Sequence, residues 1–250
     1  MRVTYAGDEQ YAIAMARLRK PTVTATRNDL SAAATDDIMR IKAWLLGVSP
    51  MVWRRVLVPA SFTLRELHGV IQVAMGWEAI HLYQFLLRAV RYGSLELSAS
   101  SPDITLAALR LRKGNRFLYE YDLNIPWRHG IRIEDIAARQ TNITYPACID
   151  GSGACPPEDC HDPAGFMNGS TQGWSCEALE DLGTLVEIID PIIRERRSEI
   201  LDDDETRWRL NNPLDRIQAR ERAKGKPFSR PSVDDRLRHG EHVDFMHQHD

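Results

Sequence analysis

The sequence predicts an α+β domain: an antiparallel, aromatic-rich sheet covered by a few helices and flanked by weakly ordered N- and C-terminal extensions. Three observations predict it. RFLYEYDL places Phe117, Tyr119, Tyr121 and Leu123 on one face with a period of two. TLRELHGVIQVAMG carries Leu64, Leu67, Ile71 and Met75 at helical spacing. Strand-like and helix-like segments are segregated rather than alternating as βαβ units, which argues against a doubly wound sheet.

The first 36 residues are rich in Ala, Thr, Ser and Asp and read as an extension, with one short helix near Tyr11 to Leu18. From Ile38 the texture changes. IMRIKAWLLG and VWRRVLV are β-rich runs joined by a turn at Pro50, so strands are expected over 38 to 46 and 53 to 58. Thr63 and Glu66 form a capping box for the helix over 64 to 75, and Gly76 stands where its C-terminus needs a left-handed residue. HLYQFLL, 81 to 87, reads as a strand followed by the turn RYGS, and TLAALRLRKG as a short helix capped by Thr105 and closed by Gly114.

Strands are expected over 117 to 123 and 127 to 134. In the second, Trp127, His129, Ile131 and Ile133 share a face, with Arg128, Arg132 and Glu134 opposite. After Cys176, Leu179, Leu182, Val186 and Ile189 fall in helical register, and Pro191 is expected to split or kink that helix. The domain is therefore drawn over 37 to 201, between the N-terminal extension at 1 to 36 and a polar, Arg-rich tail at 202 to 250.

Composition bounds the function. With 32 Lys and Arg against 35 Asp and Glu, the formal charge of -3 supplies no global basic field for nucleic acid or anionic lipid. The N-terminus carries acidic residues where a signal peptide needs an apolar run, and no segment approaches membrane-spanning length. A cytoplasmic protein with no membrane association is expected, meeting a protein or nucleic-acid partner. In a reducing compartment, closely spaced thiols favour metal binding or burial over a disulfide.

Cys148, Cys155 and Cys160 are separated by six and four residues in YPACIDGSGACPPEDCHD. This is looser than paired C-x-x-C knuckles, yet the intervening turns could gather three sulfurs around a structural zinc. His161, His129 and Cys176 are available as a fourth ligand, and His129 is preferred because it projects from a preceding strand toward the covered face. The alternative is that the thiols pack as small hydrophobes in a loop pinned by Pro156 and Pro157.

Glu158 and Asp159 could hold a divalent ion beside a histidine for phosphodiester hydrolysis, or simply cap a turn. Arg54 and Arg55 face opposite ways on their strand, so one can meet a phosphate or acidic partner while the other lies inside near aromatic residues, with Trp127 on the same candidate surface. His68 and His81 read as packing or surface residues. The C-terminal His239, His242, His247 and His249 read as an adventitious metal-binding cluster.

In order, SPMVWRRVLVP, TLRELHGVIQVAMGW, HLYQF, RYG, FLYEYD, WRHGIRIE and YPACIDGSGACPPEDCHDPAGF resemble the plasmid pRiA4b third-open-reading-frame family, also labelled insertion-element passenger TnpR proteins. The resemblance runs from about residue 38 to about 200. It implies an α+β domain associated with plasmids and mobile elements, and no particular reaction. No catalytic serine with a basic phosphate-gripping cluster supports a recombinase. Two departures stand out: Asn124, Ile125 and Pro126 replace a Gly-Asp turn, and His161 and Asp162 replace two glycines after Cys160. The expected function is a non-enzymatic binding module of a mobile-element family; the rival is a metal-dependent hydrolase or nuclease using His129, Glu158 and Asp159.

Overall fold

The computed structural model describes residues 37–160, 163–171 and 175–246. The N-terminal extension with its expected helix, His161, Asp162, His247 and His249 lie outside the described residues. The chain divides into two units, one formed by Met1–Cys155 with Pro227–Asp250 and the other by Pro156–Lys226. The boundary expected at 201/202 falls inside the second unit.

The first unit holds a seven-stranded antiparallel sheet: β1 (Asp37–Leu45), β2 (Trp53–Pro59), β3 (Tyr83–Leu87), β4 (Val90–Gly93), β5 (Arg116–Tyr121), β6 (Trp127–Ala138) and β7 (Ala147–Ser152). Their order across the sheet is β4-β3-β5-β6-β1-β2-β7. The long central pair β1 and β6 runs from Asp37 opposite Ala138 to Leu45 opposite His129, with a bulge between Arg40 and Ile41. Gly130 stands opposite Trp44, and a Cβ there would lie 2.2 Å from the indole. Glycine is what lets Trp44 lie flat on the strand.

Helix α1 (Leu64–Met75) forms where expected, and its ends show why. Thr63 and Glu66 exchange the two capping-box hydrogen bonds, and Gly76 closes the helix in the left-handed region at φ 91°. Almost every residue of α1 is buried: His68 and Gln72 face the sheet, where both meet Tyr119, and Gly69 lies on the side covered by the C-terminal segment. Helices α5 (Arg230–Arg238) and α6 (Glu241–Phe245) are packed in the same unit, with Val233 and Leu237 buried. A Cβ on Gly69 would lie 2.1 Å from the carbonyl oxygen of His242, so α6 rests directly on the backbone of α1.

Three elements differ from expectation. RYGS is not merely a turn: Val90–Gly93 pairs with β3 as an edge strand. The start of the cysteine segment is β7, paired with β2. No helix forms over 105–113. The Thr105 hydroxyl accepts from the Ala108 N–H at 3.2 Å as a cap should, but Arg110 turns to φ 49° and ends the first turn.

The second unit contains α2 (Pro163–Thr171), α3 (Cys176–Arg194) and α4 (Asp204–Ala223). Helix α3 runs through Pro191 without dividing. Its buried residues are Ala178, Asp181, Leu185 and Ile188, and Arg216 and Arg220 of α4 both donate to the Asp181 carboxylate. The residues whose periodicity predicted the helix, Leu179, Leu182, Val186 and Ile189, are exposed.

Candidate functional site

The alternation of β2 sends Arg54 inward and Arg55 outward. Arg54 is 2% exposed, and its guanidinium is surrounded by main-chain carbonyls. Nε donates to Ala74 at 2.7 Å, Nη1 to Trp53 at 2.8 Å and Ser152 at 2.9 Å, and Nη2 to Gly153 at 3.2 Å. The ring of Phe228 stacks 4.4 Å from the guanidinium carbon. Burial lowers the pKa of Arg54, opposed by the nearby Cys155 and Cys148 sulfurs. The side chain staples β2 to α1 and to the end of β7, and its donors are turned away from any partner.

Arg55 is the outward one. Its Nε donates to Glu134 at 2.6 Å and Nη1 to Asp150 at 2.7 Å, while its guanidinium lies 4.9 Å from the Trp53 ring. The hydrogen bond from Arg55 holds the Glu134 carboxyl below the usual carboxylate range. Glu134 and Asp150 are thus the carboxylates that serve the outward arginine.

Trp127 and His129 lie on the covered face of β6, as the alternation required, and both are sealed at 1% and 0% exposure. His129 Nδ1 lies 2.9 Å from the Trp127 carbonyl oxygen, and its ring meets Trp77 edge-on at 5.3 Å and Tyr119 at 5.1 Å. Desolvation dominates the ring's ionisation and pushes its pKa down to about 3, the backbone carbonyls of Trp127 and Tyr119 opposing and Arg54 adding to the depression. His68, also fully buried, stacks on Tyr83 at 3.7 Å, and its Nδ1 lies 2.7 Å from Tyr119 Oη, which accepts from Gln72 Nε2 at 2.7 Å. These polar groups specify how α1 sits on the sheet.

The cysteines are divided. Cys148 on β7 and Cys155 just after it are buried and reduced in the first unit; Cys160, half-buried, and Cys176, exposed, belong to the second. Burial pushes the Cys148 thiol up to about 11, with Arg54 only partly opposing the shift. It is a protonated, poorly nucleophilic thiol at neutral pH. Glu158 and Asp159 lie in a turn closed by the Cys160 N–H donating to the Pro157 carbonyl at 3.1 Å. Among the described residues, no three His, Cys, Asp or Glu side chains gather as a metal requires.

Sequence reasoning missed two surface features. One is a cleft of about 290 Å³ between the approach to β7 and α5, lined by Ile143, Ala147, Cys148, Arg230, Asp234 and Arg238. Asp234 accepts from the Cys148 N–H at 3.1 Å and pairs with Arg238, so its charges are largely internal. The polar composition of 202–250 concealed that this segment supplies a wall. The other is the exposed apolar face of α3, whose residues the sequence showed as a helical register without showing that they are exposed. Of the C-terminal histidines, His242 is buried against Phe62 and His239 lies exposed beside Asp235. No described helix is long and apolar enough to cross a membrane.

Against known proteins, the chain is 35% identical over 150 residues to "Uncharacterized protein y4hQ" of Sinorhizobium fredii (strain NBRC 101917 / NGR234), covering 58% of this chain and 74% of that one. It is structurally similar to the crystal structure of the "Protein of Unknown Function MM3350 from Methanosarcina mazei Go1", with a TM-score of 0.51 and 27% identity over 58% of this chain and 86% of the other. The sheet, its capped helix and the cysteine segment fall within residues 37–172, which match the family model described as plasmid pRiA4b ORF-3-like protein; the chain belongs to that family.

Proposed function

We propose that this chain is a non-enzymatic, protein-binding module of a plasmid-associated family, in which the sheet unit is a scaffold and α3 carries the contact surface. One observation carries the reading. Leu179, Leu182, Val186, Ile189 and Ile193 are 37–71% exposed along one side of a single helix. Scattered apolar residues need no explanation, but a continuous row on one helix does.

The chemistry-bearing residues support the same reading. Arg54, His129 and Cys148 are consumed in packing and hydrogen bonding inside the sheet unit. A base or metal ligand in a hydrolase has to reach substrate, and His129 is sealed beneath Trp77 and Tyr119. A structural zinc on Cys148, Cys155, Cys160 and His129 is disfavoured by the Arg54 cation beside two of the thiols, because a second positive charge there meets repulsion.

The experiment is a hydrolysis assay on the full chain. Hydrolysis of bis-p-nitrophenyl phosphate is followed with magnesium, manganese or zinc, and the wild type is expected to match the buffer blank. Turnover that disappears in His129→Ala, with its fold intact by circular dichroism, would overturn the module reading in favour of a hydrolase.

A further inference from the structure

Beyond the α3 surface, we infer that the open face of the sheet binds single-stranded nucleic acid, with phosphates on a row of cations and bases on the tryptophans beside it. The alternation that turns Arg54 and Tyr119 toward α1 turns Arg116, Arg132, Lys42 and Arg55 to the other face. Register then lines these four up. Arg116 stands opposite Arg132, Arg132 opposite Lys42, and Lys42 opposite Arg55. Four neighbouring strands thus carry four cations on one rung, over about 14 Å at ordinary strand spacing. The next outward rung, about 7 Å further along the strands, runs Leu118, Gly130, Trp44 and Trp53.

Like charges directly opposite one another destabilise a sheet, so the fold gains nothing from the cationic rung. The carboxylates on the same face are engaged elsewhere or by one member only. Glu120 pairs with Arg128, Asp135 with Arg40 and Lys113, and Glu134 and Asp150 with Arg55. Lys42, Arg116 and Arg132 are left without an ion pair among the described residues, and both arginines are exposed. Three adjacent unpaired cations call for an anion with several charges in a line.

The aromatic rung decides which kind. Gly130 lets the Trp44 indole lie flat on β6, and the ring, only half-buried, keeps its other face outward. Trp53 stands opposite Trp44, with Lys42 Nζ 4.4 Å and the Arg55 guanidinium carbon 4.9 Å from its ring. Flat aromatic surface beside a line of cations is what unstacked bases and their phosphates require. A duplex keeps its base faces stacked inside, and an acidic peptide uses the cations but not the rings. Over these four strands neither rung carries a side-chain hydroxyl or amide to read a ribose 2′-OH, so the sugar is not discriminated.

Fluorescence anisotropy of the full chain with a labelled oligothymidylate of about 20 nucleotides tests this. A Kd of about 10 μM near physiological salt is expected, with log K falling against log salt at a slope of about −2, as three phosphate contacts require. An oligouridylate of the same length is expected to bind within about threefold, and the duplex of the oligothymidylate with oligoadenylate about tenfold more weakly or worse. Arg132→Glu, at an exposed position, is expected to weaken binding about tenfold or more and to flatten the salt slope. Trp44→Leu, which keeps an apolar side chain over Gly130, is expected to weaken it about fivefold or more, with circular dichroism unchanged in both variants. No anisotropy change up to about 200 μM protein, duplex binding as tight as single-strand binding, or binding indifferent to both substitutions would overturn the inference. Displacement of the probe by polyglutamate, combined with indifference to Trp44→Leu, would also overturn it and make the rung a site for acidic protein.

Discussion

Arg54 Nε donates to the main-chain carbonyl of Ala74 at 2.7 Å, tying β2 to the last turn of α1. The remaining donors go to carbonyls of Trp53, Ser152 and Gly153, so one side chain joins three segments far apart in sequence. The cost of burying the cation is offset by these charge-assisted bonds and by Phe228 stacked on it.

Arg54→Leu is expected to lower stability by about 3 kcal/mol or more, because it leaves several buried carbonyls without donors. Arg54→Lys is expected to recover less than half, since a point ammonium cannot serve a fork of acceptors. Urea denaturation of the three proteins checks this. An Arg54→Lys chain within about 0.5 kcal/mol of wild type contradicts the staple.

His129 makes the fold acid-sensitive. Its folded pKa lies near 3, below its unfolded value near 6.5, so the unfolded state binds the extra proton between them. Its contribution is therefore full above about pH 6.5 and falls by about 1.4 kcal/mol per pH unit down to about pH 3. Buried His242, whose pKa is also lowered by desolvation, adds to the slope. His129→Phe is expected to flatten the decline between pH 6 and pH 4, as read from urea midpoints; an unchanged slope would place the titrating group elsewhere.

Gly69→Ala inserts a methyl 2.1 Å from the His242 carbonyl oxygen, and main chain cannot step aside as a flexible side-chain tip can. A loss of about 1–3 kcal/mol is expected, despite alanine's better helix propensity. Amide exchange should rise first over residues 241–245. A neutral or stabilised variant would mean that α6 does not rest on α1.

Elemental analysis of the purified chain is expected to give zinc far below one equivalent, and excess EDTA to leave the melting temperature unchanged within about 2 °C. Near-stoichiometric zinc lost from a Cys148→Ala, Cys155→Ala chain would contradict the account of these thiols as packing residues.

Much of the scaffold was legible in the sequence, for identifiable reasons. The Thr63/Glu66 capping box and Gly76 bound α1 locally, and the period of two in FLYEY and in WRHGIRIE placed His129 inward before any neighbour was known. What was not legible depends on distant chain. Cys148 belongs to a strand because β2 offers an edge; α1 is buried all round because helices from a polar, Arg-rich segment return to cover it. Periodicity at Leu179, Leu182, Val186 and Ile189 identified a helix, but it could not say which side its own unit buries. Asp181, a carboxylate on the buried side, points the other way only once Arg216 and Arg220 are seen beside it.

The most direct test of α3 as the contact surface is photo-cross-linking in living cells, with p-benzoylphenylalanine replacing Val186 in one chain and Arg55 in another. The account predicts a discrete protein adduct from position 186 and none from position 55. No adduct from 186, or adducts from 55 alone, would contradict it.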